Sequence, residues 1–463
     1  MSAHRGGLLE LVARGKKDVF FTANPQASFF HSVYARYAPF TEEVYVCQPK
    51  NAPEWGRWME FDVEHRGDLM RKIYLRIRLP TWLPDSLAAV NGTSLITDAA
   101  GVSYGYCNNI GYQVIEKIQL FQDQVLVQEL YGEYLDWRLR QTNTLAQTLV
   151  IATTAGTRGE TVIDVGRAAT PGLLRVPIPL VGWEAIGEPG FPMAAMRQQR
   201  FRLRVLLRRL EDVVVASDDR SQPQPWGKPL RVQYAKGGPV DTSQVARPRE
   251  ALNKDIEVSL ETSQVYVPAD VQQWLKIQKW QIPFKNVQWQ EFTIADNQLA
   301  AASVNDAFTL PFTVDFTGPA TRLLFAFQSL GARLAGNRTE LLRDAVQTLR
   351  FNIANIDRIQ PFASPVFREV TSYWKNKRSA QDLVQPDRPQ DVYTFVFGGM
   401  DAPQPYGTLN FTRAVETILY AVFSRTIPID PRTQSRDAFL TTYLETFDVW
   451  VVENGRGKIL IDE

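Results

Sequence analysis

A chain of 463 residues exceeds what one hydrophobic core usually organises, so two domains of roughly 200 residues each are expected. Hydrophobic residues at 44% and charged residues at 22% exclude a disordered chain and a membrane bundle, and a net charge of +1 supplies no global field toward nucleic acid or anionic lipid. Aromatics at 11%, with 28 Gly and 28 Pro along the chain, favour many short strands joined by turns.

The first residues, MSAHRGGLLELVARGKKD, hold too short an apolar run for a signal peptide. No later stretch approaches the roughly 20 apolar residues of a membrane helix, so a non-secreted, non-spanning chain is expected. Residues 18–40, DVFFTANPQASFFHSVYARYAPF, then carry seven aromatics. Residues 18–22 suit a short strand, Asn24-Pro25 turns the chain, and Phe30, Val33, Tyr34 and Tyr37 fall at helical spacing. Rings at that density suit a plug for the open end of a domain or a contact with a neighbouring subunit, and core packing explains any single ring equally well. Cys47 and Cys107 are the only cysteines and form no CxxC pair, which excludes a disulfide scaffold and leaves one bridge open.

Strand patterning begins with RKIYLRIRL, residues 71–79, where Ile73, Leu75, Ile77 and Leu79 face one way and Tyr74, Arg76 and Arg78 the other. GVSYG, residues 101–105, matches a nucleophile-elbow pattern and fails its context. The only histidines, His4, His31 and His65, all precede Ser103, and the following GYCNNIGY reads as a loop rather than a helix start. KIQLFQDQVLVQEL, residues 117–130, reads as a hairpin bent at Gln122-Asp123-Gln124. In RFRLRVLLRRL, residues 200–210, Phe201, Leu203, Val205 and Leu207 alternate with Arg202, Arg204, Leu206 and Arg208. Because the chain is neutral and no aromatics interleave the arginines on their face, the row reads as a strand's wet side rather than a nucleic-acid surface.

Residues 213–250 are rich in Pro, Ser, Asp and Gly and read as a linker. Further strands are expected in DIEVSLE, QVYVP, TLRFNI, DVYTFVF, ETILYAVF and FDVWVVE, and short helices in PADVQQWLK (268–276) and TELLRDAV (339–346). The sum is an antiparallel β protein of sandwich or barrel type. No HExxH, Cys/His spacing, phosphate-binding loop or dinucleotide fingerprint occurs, so no catalytic residue, metal or cofactor is assigned. Of three N-x-[ST] sequons, Asn91 and Asn337 sit in loop-like contexts and are candidate glycosylation positions, whereas Asn410 abuts a strand and reads as structural.

GGLLELVARGKKDVFFTANPQASFFHSVYARYAPF followed by FDVEHRGDLMRKIYLRIRLP resembles the start of the double jelly-roll major capsid proteins of nucleocytoplasmic large DNA viruses. Gly6, Gly7, Asn24, Pro25, Gln26, Phe29, Phe30, Tyr34, Arg36, Arg66, Gly67, Asp68 and Leu69 occupy the family's positions. YGEYLDW (131–137), VYVPADVQQWL and DFTGPATRLLFAFQS are similar to later family segments, the second to the opening of the second jelly roll. VYTFVFGGMDAPQPYGTLNFTR continues the likeness through Tyr393, Phe395, Gln404, Pro405, Gly407, Asn410, Phe411 and Arg413. Departures at GGMDA and at FPMAAMRQQ (191–199) leave open a principal shell protein or a divergent paralogue.

The resemblance implies an all-β fold of two tandem eight-stranded antiparallel jelly rolls with few short helices. Expected boundaries are an arm at 1–17, a first roll at 18–215, a linker at 216–250 and a second roll at 251–463. It further implies a structural capsid protein, not an enzyme, that trimerises into a pseudo-hexagonal capsomer and tiles an icosahedral shell. Expected partners are further copies of the chain and minor capsid proteins beneath the shell, with no nucleic acid and no membrane span. Expected localisation is the virion capsid, assembled in the cytoplasm of an infected cell. Assembly candidates are Leu8, Leu9, Leu11 and Val12 as a docking face, with Phe20, Phe21, Phe29, Phe30 and Tyr34 as anchors. The alternative is a carbohydrate-binding or carbohydrate-cleaving β-sandwich, which accounts for tryptophans and sequons but not for the ordered run of family-like segments.

Overall fold

The computed structural model describes residues 39–80, 103–142, 155–156, 172–181, 190–196, 199–217, 255–300, 308–334, 336, 338–342, 345–371, 392–398, 407–423, 427, 429–430 and 433–460. The chain divides into two compact units, residues 1–40 and 41–463, and every element named below belongs to the second.

The first ten strands are β1 (Thr41–Cys47), β2 (Trp58–Val63), β3 (Leu69–Arg78), β4 (Ser103–Tyr106), β5 (Ile115–Gln122), β6 (Val125–Tyr131), β7 (Leu173–Pro177), β8 (Phe201–Leu207), β9 (Val214–Ser217) and β10 (Glu257–Tyr266). Eight of them form two antiparallel sheets, ordered β1-β10-β3-β7 and β2-β8-β5-β6, while β4 and β9 pair as a separate ribbon. The second set is β11 (Trp280–Ile294), β12 (Phe308–Thr313), β13 (Pro319–Ser329), β14 (Val346–Ile353), β15 (Ile356–Ala363), β16 (Tyr393–Val396), β17 (Leu409–Asn410), β18 (Thr417–Phe423), β19 (Ala438–Glu453) and β20 (Arg456–Ile459). Its sheets are ordered β11-β19-β13-β16, with β17 on β13 and β20 on β19, and β12-β18-β14-β15.

Counting only the eight main strands of each set from first to last, both sets read 1-8-3-6 in one sheet and 2-7-4-5 in the other. That shared order is a jelly roll built twice, so the architecture repeats where the sequences do not.

Alternation explains the strands directly. In β3, Ile73, Leu75 and Ile77 are buried, and in β8 Phe201, Leu203, Val205 and Leu207 are buried between half-buried Arg202, Arg204 and Leu206. The hairpin of β5 and β6 turns at Asp123, which sits at φ 53 and is fastened by Arg200, whose N–H donates to Asp123 Oδ1 at 3.0 Å. The second roll fills its core with rings: Phe325 lies 4.9 Å from Phe395 and 5.4 Å from Tyr393, Phe351 5.4 Å from Phe397, and Phe397 5.5 Å from Phe411. Such pairs contribute about 0.5–1.5 kcal/mol each beyond the area they bury.

Three expectations change. The stretch at 216–250 does not join the rolls, because β10 beyond it inserts between β1 and β3 of the first roll. DIEVSLE and QVYVP are therefore one strand that closes the first roll, and VYVP ends that roll rather than opening the second. We place the junction at residues 267–279, which hold a helix over Ala269–Ile277. The helix expected over TELLRDAV is replaced by a turn at 338–339 and the start of β14 at Val346, while a short helix forms just upstream at Leu330–Leu334. Cys47 and Cys107 are both buried and free, so the bridge left open by the sequence is not formed.

Truncating the chain after residue 250 removes a central strand from a sheet, whereas truncating it after 266 keeps that sheet complete. A 1–266 fragment is expected to be more soluble than 1–250 and to unfold cooperatively in urea. Equal behaviour of the two fragments would contradict the assignment of β10.

Candidate functional site

The chemistry-bearing side chains converge on the seam between the two rolls. Three helices position it: α1 (Ile110–Gln113), α2 (Gly132–Thr142) and α3 (Ala269–Ile277). Helix α2 begins at Gly132, where an added Cβ would sit 2.2 Å from the carbonyl oxygens of both Tyr112 and Ile115. Only glycine lets the chain leave β6 that tightly. The buried carboxylate of Asp136 then ties α2 to α1, accepting from Asn109 Nδ2 at 2.6 Å and Gln113 Nε2 at 3.0 Å.

This anchoring aims the YGEYLDW segment at the second roll. Trp137 meets Tyr443 of β19 edge-on at 5.2 Å, and Tyr134 lies 5.9 Å from the same ring. Two reciprocal hydrogen bonds follow: Tyr134 Oη donates to Glu445 Oε1 at 2.6 Å, and Tyr443 Oη donates to Glu133 Oε2 at 3.1 Å. Burial pushes both phenols well above the usual tyrosine range, so they stay protonated and serve as donors. Arg322 of β13 donates to Glu445, Lys285 Nζ stands 4.0 Å from it, and Arg208 stands 3.7 Å from Glu133. Each buried carboxylate thus has a phenol from the opposite roll and a cation nearby.

The seam has two further stitches. Gln122 accepts from Trp450 Nε1 at 3.0 Å and donates to the Gly457 carbonyl at 2.9 Å, while Gly457 N–H donates to Gln199 at 2.7 Å. Phe191 packs 4.5 Å from the Trp450 ring. On β6, Gln128 Nε2 donates to the Lys285 carbonyl at 2.8 Å and Glu129 N–H to Asn286 Oδ1 at 3.1 Å, so the β6 edge faces β11. Ring contact between Tyr131 and Trp289 at 6.2 Å joins the same two strands.

Arg66, Gly67 and Asp68 hold the junction. The buried Asp68 carboxylate accepts from Val267 N–H at 3.0 Å and Gln272 Nε2 at 2.6 Å, where the chain leaves β10 for α3. Gln264 Oε1 accepts from the Arg66 and Gly67 N–H groups at 3.0 and 2.7 Å. A Cβ on Gly67 would meet Gln264 Cβ at 2.9 Å. The tripeptide is consumed internally and fixes where the second roll departs.

Leu8, Leu9, Leu11, Val12, Phe20, Phe21, Phe29, Phe30, Tyr34, Asn91 and Asn337 all lie outside the described residues. Asn410 is described: its Oδ1 accepts from Thr412 N–H at 3.0 Å in a turn against β13. Ser103 lies in β4, paired with Ser217, so GVSYG forms no elbow. The arginine row is a sheet face, but aromatics do reach it from neighbouring strands: Arg204 stacks on Trp58 at 4.9 Å and Arg202 on Phe121 at 5.3 Å. Glu60 neutralises it, 3.0 Å from Arg204. Sequence reasoning did not assign the seam residues Glu133, Tyr443, Glu445 and Arg322. The available signal was a carboxylate or arginine placed where strand alternation calls for an apolar residue, as at Arg322 in TRLLFAF.

Two jelly rolls of identical strand order, fused through a buried polar seam, define a double jelly-roll protein. Residues 28–228 match the family described as major capsid protein N-terminus. The major capsid protein of Chrysochromulina ericina virus is 30% identical over 143 residues, 28% of this chain and 24% of that protein. Capsid protein 1 of Acanthamoeba polyphaga mimivirus is 29% identical over 130 residues, 28% of this chain and 21% of that protein. The alignments thus span less than a quarter of the length of these curated relatives. The quasi-atomic structure of the PBCV-1 virus capsid superposes with a TM-score of 0.67 at 13% identity, over 94% of this chain and 100% of that one, a likeness of fold. Over residues 28–228 the chain is thus similar to major capsid proteins, and its fold is that of a double jelly roll.

Removing Glu445 leaves Arg322 charged and buried. Glu445→Ala is expected to cost about 3–5 kcal/mol in urea unfolding, and Arg322→Met with Glu445→Leu to recover most of that loss; a cost for Glu445→Ala below about 1 kcal/mol would contradict the seam network. Asp68→Ala strands two part-buried donors and is expected to cost about 1–3 kcal/mol by the same measurement, with no change at all as the contrary result.

Proposed function

We propose that this chain is a structural capsid protein whose copies close into trimers that tile an icosahedral shell. One observation carries the reading. Inside the chain, the fifth main strand of the first roll, β6, faces the first main strand of the second roll, β11. Their counterparts, β15 and β1, are sheet edges with no further strand beside them among the described residues. Strand β15 is exposed along nearly its whole length and presents Ile356 at 72% and Phe362 at 51% exposure, while β1 presents Val44 at 58% and Val46 at 45%.

Edges of this kind are managed in monomeric proteins by charge or cover, so uncovered apolar edges call for a partner. Joining β15 of one copy to β1 of the next repeats the internal joint between molecules. Such a head-to-tail contact builds a ring if its rotation closes. Three copies, the number the family resemblance implies, would place six similar rolls around one axis.

The similarity to proteins named as capsid proteins supports the same role. Virion localisation, cytoplasmic assembly and minor capsid partners beneath the shell belong to this reading. So does the arm, in which Leu8, Leu9, Leu11 and Val12 dock against those partners and the rings of Phe20, Phe21, Phe29, Phe30 and Tyr34 anchor it. Nothing among the described residues favours the carbohydrate alternative.

Light scattering after size exclusion is expected to give three chain masses for the purified protein and one for the Ile356→Asp, Phe362→Asp double variant. A double variant that keeps the wild-type mass would sink the proposed joint. Deleting residues 1–17 is expected to leave the trimer intact and block shell assembly; normal shells from the deletion would remove the arm from the account.

A further inference from the structure

Because both rolls follow one strand order, their sheets can be compared strand for strand. The second roll's β11-β19-β13-β16 sheet turns one face to its own core and the other to the first roll, where Val287, Leu324, Ala326 and Tyr443 join the first roll's core cluster. On that covered face, Val287 of the first strand stands opposite Glu445 of the eighth, and Glu445 opposite Arg322 of the third. Tyr134 of the first roll donates to the carboxylate, and Val287 and Arg322 are each only 3% exposed.

The first roll's β1-β10-β3-β7 sheet carries a like arrangement on its outer face, exposed. Val46 of the first strand stands opposite Glu261 of the eighth, and Glu261 opposite Tyr74 of the third. Arg76, also on the third strand, brings Nε to 3.9 Å from the carboxylate. Arg175 of β7 donates to Glu261 from Nε at 3.0 Å and stacks 3.8 Å over the Tyr74 ring. Here the valine is 45% exposed and the Arg76 and Arg175 side chains 33% and 46%. Both edge strands also put apolar side chains outward, Val44 and Val46 on β1 and Leu173 on β7, where alternation calls for polar ones. Surface ion pairs add little to a fold, whereas arginines already held in place beside an apolar rim lower the cost of ordering an interface.

We propose that this outer face, centred on Glu261, seats the second roll of a neighbouring copy as the face around Glu445 seats the first roll within the chain. The inference rests on the trimer reading and adds to it the face that assembly covers. In the second roll, the helical turn Val366–Val370 follows β15 as α2 follows β6 in the first. Phe362 of β15 and Val370 of that turn are exposed and supply the apolar side of the contact. On assembly Glu261 becomes enclosed as Glu445 is, with its two arginines already in place to hold the charge.

The test is hydroxyl-radical footprinting of the full wild-type chain above and below its assembly midpoint, with the midpoint set by light scattering. Tyr74 and Leu173 are expected to lose most of their reactivity on assembly, and the exposed Leu126, near the tip of the β5–β6 hairpin, to keep it. A second measurement uses Ser259→Trp, which adds bulk on the same face opposite Arg76. This variant is expected to keep the wild-type circular dichroism spectrum and to raise the midpoint concentration about tenfold or more. A trimer whose Tyr74 and Leu173 stay reactive, or a folded Ser259→Trp that assembles as readily as wild type, would overturn this inference and leave the trimer reading standing. A chain that stays monomeric at every concentration would overturn both.

Discussion

Two buried carboxylates, Glu133 and Glu445, set the terms for the rest of the structure. Each lies almost wholly out of water, and each takes a hydrogen bond from a tyrosine of the opposite roll. A charge in that position is tolerable only when its partners are in place, so the rolls can meet in one register and few others. Replacing a buried ion pair by apolar residues of like volume is often neutral, so the affinity of the rolls comes mainly from the apolar burial around Trp137, Tyr443, Trp450 and Phe191. The charges choose the geometry, and the rings hold it.

That division of labour links the fold to its proposed use. A shell built from repeated units needs edges that meet at a fixed angle, and an angle is defined only if each unit is stiff. Asp68 and Gln264 fix the exit from the first roll, α2 fixes the face it presents, and β11 receives it. In the proposed assembly the internal joint between β6 and β11 serves as a template for an external one between β15 and β1. Near-neutral net charge is compatible with such close packing of like units, because it removes a long-range repulsion without supplying any specificity.

Much of this was legible in the sequence, for reasons that differ by element. Strands β3 and β8 and the hairpin of β5 and β6 could be read because a half-buried strand shows its period in its own residues. The partner of β10 could not, since the pattern of DIEVSLE is the same whichever sheet receives it and pairing is decided by residues about 200 positions away. A Pro- and Gly-rich connection inside a jelly roll has the composition of an interdomain linker, which is why 216–250 misled. Glu445 and Tyr134 stand 311 positions apart and carry no local signature of their meeting. The family likeness marked YGEYLDW as a segment that matters, and the geometry supplied the reason: a glycine-tight exit from β6 that delivers Tyr134 and Trp137 to the neighbouring roll.

The seam is expected to hold the two rolls in a single relative orientation. Spin labels at Asp62→Cys on β2 and Thr309→Cys on β12, both exposed, report on that orientation directly by pulsed electron resonance, since the native cysteines are buried. One narrow distance distribution, the same in solution and in assembled particles, is the predicted result. A broad or two-peaked distribution would show rolls that swing about their junction, and the seam would no longer explain the fold.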